Sequence, residues 1–103
     1  AYIRFRLALT EDTPVITPYI QAEWAELHDA KSLPVEVSIN LIEALHIRWA
    51  TLIESLGEKE LKRKFFHPEQ HKVLSLDYII DIYEWHCEHH LAQIDNLIKR
   101  MKW

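Results

Sequence analysis

From Leu76 to Met101 the apolar residues recur at alternating steps of four and three: Leu76, Ile80, Tyr83, Cys87, His90, Ile94, Leu97 and Met101. This is the seam of an amphipathic helix, and no strand can present it, because side chains along a strand alternate with a period of two. As a helix the segment is about 39 Å long, at about 1.5 Å per residue. It needs other helices along most of that length to cover the seam. The composition agrees. One glycine and four prolines occur among 103 residues, of which 49% are hydrophobic, so long helices are favoured over turn-rich sheet. The expected fold class is all-α, in one domain spanning residues 1–103.

The rest of the chain supplies the partners. Residues 1 to about 10 read as helix from the first residue, with Tyr2, Phe5 and Leu9 on one face and no capping residue ahead of them. Pro14 and Pro18 break any periodicity and make residues 10–18 a connection. A short helix around residues 21–29 follows, with Trp24 and Leu27 or His28 turned inward. A second long helix begins near Pro34 to Ser38 and carries Ile42, Leu45, His46, Trp49, Leu52, Ile53 and Leu56 on one broad face, with Gly57 as its stop. Residues 58–64 form a further helical turn, and its basic run Lys62-Arg63-Lys64 reads as a solvated helix end. Pro68 forces an extended or turned conformation on His67 in a partly irregular loop, and Ser75 caps the last helix. The sum is a helical bundle with two long antiparallel helices.

His86 and His90 lie within or beside the seam, one helical turn apart, where two imidazoles can reach one metal ion. His46 also faces inward and is the candidate in this chain to complete a metal site. The blander alternative is a pair of core histidines, each hydrogen-bonded to a neighbour. The zinc-protease pattern His-Glu-x-x-His is excluded, because Cys87 holds its second position. Glu84 and Glu88 lean off the histidine face as surface acids, so no general base is assigned. Cys87 reads as a small buried thiol, and His89 turns toward solvent or a second interface.

Several classes are excluded. The formal charge of −4 is spread along the chain and offers no footprint for nucleic acid. No run approaches about 18 apolar residues, so no membrane span is expected. The single cysteine excludes an internal disulfide and fits a cytoplasmic location.

Taken in order, residues 1–12, Pro18-Tyr19, Trp24-Ala25-Glu26-Leu27, Leu45-His46-Ile47-Arg48-Trp49, Phe66-His67-Pro68-Glu69 and Tyr83-Glu84-Trp85-His86-x3-His90 resemble the YfiT-like branch of the DinB-like superfamily. The resemblance implies an up-down-down-up four-helix bundle with one divalent ion, zinc or nickel, on three histidines. Two of them map to His86 and His90. The third falls on the family's second helix, ahead of residue 1, and the family's first helix is missing as well. The chain is therefore expected to be an N-terminally truncated piece of such a bundle. The implied activity is metal-dependent hydrolysis of a small-molecule substrate. Alternatives are transfer of a low-molecular-weight thiol of the bacillithiol type, and a non-catalytic dimeric helical module. His46, His67 and Tyr83 are candidates for second-layer or substrate contacts, and a homodimer is expected.

Overall fold

The computed structural model describes residues 1–103. Its elements run α1 (Tyr2–Thr10), α2 (Gln21–Ala25), α3 (His28–Ser32), α4 (Val35–Glu54), α5 (Glu58–Leu61), β1 (Lys64–His67), β2 (Lys72–Ser75) and α6 (Leu76–Met101). The helical seam of Leu76 to Met101 is realised as one uninterrupted helix of 26 residues.

The main departure from the all-helical expectation is an antiparallel hairpin where an irregular loop was expected. Phe65 pairs with Leu74 and Phe66 with Val73, and Pro68 to His71 form the turn, closed by His71 at a φ of 50°. The reason is visible in the residues. Phe65, His67, Leu74 and Leu76 are buried while Val73 faces outward, a period of two that covers one face only. The proline-rich connection also joins this sheet: the Phe66 N–H donates to the Pro14 carbonyl and the Ile16 N–H to that of Phe66. Ile16 is thereby buried.

The core consists of Phe5, Ala8, Ile16, Phe65, Leu74 and Leu76, with Trp49, Leu52, Ile53 and Ile80 packed around it. Arg63 locks its edge. Its Nε donates to the Ala8 carbonyl at 2.5 Å and its Nη2 to that of Glu11 at 2.7 Å, satisfying the open C-terminal end of α1. Its own carbonyl accepts from the Leu76 N–H at 2.9 Å. The basic run is thus a clamp at Arg63 rather than a solvated end.

Other local expectations shift too. The helix expected at 21–29 is two short pieces, and Trp24 and Leu27 are exposed. Gly57 has an ordinary φ of −86° and opens α5, its N–H donating to Glu60 Oε2, instead of ending α4 in a left-handed turn. Ser75 holds the cap position of α6, but its hydroxyl bonds Asp77 and not the backbone.

Beyond this core the two long helices are open. Val35, Ile39 and Ile42 on α4 and Leu91, Ile94, Leu97 and Met101 on α6 are exposed. The accessible surface is 8475 Å², where a compact chain of 12.3 kDa would show about 6,100 Å². The seam of α6 is therefore buried at its start and uncovered along its second half.

Candidate metal centre

The unbroken α6 brings His86 and His90 together: their Nε2 atoms lie 2.9 Å apart and their rings meet edge to face. A series of edge-to-face contacts connects the pair to the core. Phe5 meets Trp49 at 5.6 Å between ring centroids, Trp49 meets Tyr83 at 5.1 Å, and Tyr83 meets His86 at 6.2 Å. Such pairs have a preferred geometry, so the site is set by rigid rings running through α1, α4 and α6.

The pair itself is exposed, as are Cys87 and His89, which corrects the expectation that His86, Cys87 and His90 look into packed helices. The cause is the uncovered second half of the seam. On the next face, His90 Nδ1 lies 3.0 Å from Gln93 Oε1, and Gln93 Nε2 lies 3.2 Å from His89 Nε2. His89 stacks on Trp85 at 5.0 Å. Gln93 was not among the residues singled out from sequence. Its spacing, three after His90 and four after His89, was the available signal.

Tyr83 stands beside His86, and burial pushes its phenol pKa up, opposed in part by Arg4. His46 is on the far wall of an open groove of about 440 Å³ that also includes Trp49, Ile80, Tyr83, Glu84 and Cys87. His67 is elsewhere, buried in the hairpin with Nε2 3.4 Å from Arg4 Nη1. No three of the histidine, cysteine and acidic side chains converge with metal-ligating geometry. His46 accordingly does not complete a three-ligand set with His86 and His90.

Two imidazole nitrogens brought together on one face of a helix are donors that suit a divalent ion.

A helical bundle of this kind defines a class of fold. A family model described as the DinB superfamily matches residues 1–94, and the chain belongs to that superfamily. Among its relatives, a "Putative metal-dependent hydrolase" of Oceanobacillus iheyensis is 52% identical over 103 residues, covering 100% of this chain and 59% of its own length. "Putative metal-dependent hydrolase YfiT" of Bacillus subtilis is 42% identical over the same 103 residues, 58% of its length. A solved structure of YfiT, described as "a probable metal-dependent hydrolase with an unusual four-helix bundle topology", superposes with a TM-score of 0.92 over 99% of this chain and 58% of that one. The chain thus spans under two thirds of the length of these relatives. It has their helical fold. No helix is long and apolar enough to cross a membrane.

Proposed function

We propose that this chain carries two of the protein ligands, His86 and His90, of a divalent-metal centre in a hydrolase acting on a small molecule. The observation that carries the reading is the 2.9 Å separation of the two Nε2 atoms on the exposed face of α6. The names of the relatives support the reaction class.

Zinc or nickel bound there would supply an acidified water and polarise the bond under attack. The chain's own part is to hold and orient. His86 and His90 offer lone pairs from a rigid helix. Tyr83, whose ring stands beside His86, has a hydroxyl that can donate a hydrogen bond to a substrate oxygen. The groove between His46 and Cys87 offers an apolar wall for the remainder of the substrate. The third ligand and a first helix covering α4 and α6 would come from chain outside these 103 residues, in keeping with the relatives' greater length.

Elemental analysis of protein purified without chelator or affinity tag tests this. Bound zinc or nickel in the wild-type chain, lost in both His86→Ala and His90→Ala, is the expected result. Equal metal in the variants overturns it, as does its absence from all three when the segment carrying the third ligand is present. Loaded protein then goes to hydrolysis assays, with a thiol-transfer assay as the competing arm, and sedimentation tells a monomer from the expected homodimer.

A further inference from the structure

Gln93 links His90, on the seam, to its neighbour His89 by hydrogen bonds. An amide oxygen only accepts hydrogen bonds and an amide nitrogen only donates them. With Gln93 Oε1 at 3.0 Å from His90 Nδ1, that ring nitrogen carries the proton, and the lone pair of the neutral ring falls on Nε2. With Gln93 Nε2 at 3.2 Å from His89 Nε2, the His89 nitrogen is the acceptor. The His89 ring is held in turn by Trp85, parallel to within 15°.

We propose that Gln93 is a positioning residue for the metal centre: it fixes His90 in its Nδ1–H tautomer and so presents the Nε2 lone pair toward His86, ready for a divalent cation. This rests on the function proposed above. The consequence for the pair is an asymmetry. In the metal-free protein the His86 Nε2–H donates to His90 Nε2 across 2.9 Å. No amide holds His86 in this way, so on metal entry it is His86 that exchanges tautomers while His90 stays as it is. Hydrogen bonds to the distal nitrogen of a ligating imidazole orient the ring and raise its basicity, and their loss typically weakens metal binding about 10–100-fold.

The test has two readouts on the 103-residue chain. Imidazole 15N chemical shifts of the metal-free protein report the tautomer directly, and titration with Zn2+ against a competing chelator reports affinity. Wild type is expected to show His90 as Nδ1–H. Gln93→Leu, a good helix former at an exposed position, is expected to move His90 toward the Nε2–H form and to weaken Zn2+ binding about 10–100-fold with unchanged helix content. Gln93→Glu keeps the acceptor and is expected to restore both. Overturning results are His90 as Nε2–H in wild type, or a His90 tautomer that Gln93→Leu leaves unchanged. The tautomer needs no metal, so a protein that carries the third-ligand segment, shows His90 as Nδ1–H and binds no Zn2+ refutes the proposed function while leaving the effect of Gln93 on the His90 tautomer standing.

Discussion

The two ends of α6 meet opposite surroundings. Leu76, its first residue, is fully buried against Phe5, Ile16 and Phe65, whereas Leu97 and Met101, on the same stripe, are exposed. The sequence pattern is equally regular at both ends, so the pattern alone states that a face needs a partner and not that it has one. At the buried end the partners are neighbours brought in by the hairpin and the proline-rich connection. At the open end the helix is held by its own backbone, and the histidine pair lies on that stretch, joined to the core through Tyr83 and Trp49.

The strongest way to break this contrast is to remove a large side chain from each end. Phe5→Ala, which empties a buried site and strips the edge-to-face contact with Trp49, is expected to cost about 3–5 kcal/mol. Domains of this size have only about 5–15 kcal/mol in total, so this variant should unfold at far lower urea. Ile94→Ala on the open stretch is expected to stay within about 0.5 kcal/mol, since its side chain is already 56% exposed. Equal losses in urea denaturation would mean that the open face is covered in solution.

A middle-sized effect is expected at Arg63. Arg63→Met keeps most of the apolar stem but leaves the Ala8 and Glu11 carbonyls without their charged donor. Hydrogen bonds to charged groups contribute about 1.5–3 kcal/mol, so a loss in that range is expected. Hydrogen exchange should locate it: amides of α1 and the start of α6 lose protection while those beyond His86 do not. Uniform loss along α6 would show that its two ends unfold together and would remove the distinction drawn here.

Much of this was legible in the residues, for identifiable reasons. Helical periodicity located α1, α4 and α6, and the i, i+4 spacing placed His86 against His90. The hairpin was not legible because Phe65-Phe66-His67 is a short apolar run followed by proline, which local pattern cannot tell from a loop. Its pairing with residues 72–75 depends on long-range contacts. The exposure of Cys87 and His90 was hidden for a related reason, since a seam looks the same whether or not something lies on it. Arg63 as a clamp and Gln93 as an amide bridge were missed because each acts through a partner's backbone or ring nitrogen, a relation composition does not show.

The smallest effect sharpens the buried end. Lys62 Nζ lies 2.5 Å from Asp77 Oδ2, joining the turn after α5 to the first turn of α6. That ion pair, followed by hydrogen bonds from Ser75 and the Tyr78 N–H, holds the Asp77 carboxyl well below the usual carboxylate range, while Asp77 raises the Lys62 pKa. A carboxylate with a depressed folded-state pKa stabilises the fold fully above its unfolded value of about 3.9, and that contribution disappears as pH falls toward the folded value. For the lysine the sign is reversed: its contribution is complete below about 10.4 and is lost as pH rises through the higher folded value. The advantage of wild type over Asp77→Asn in melting temperature should therefore be flat from about pH 5 to 9 and close at both extremes. Both groups are solvent-accessible, so the gap should be small and should narrow further in about 1 M salt. No gap at neutral pH would assign the stabilisation to hydrogen bonds that asparagine can also make, and the start of α6 would then be anchored by its buried leucine and Arg63 without help from charge.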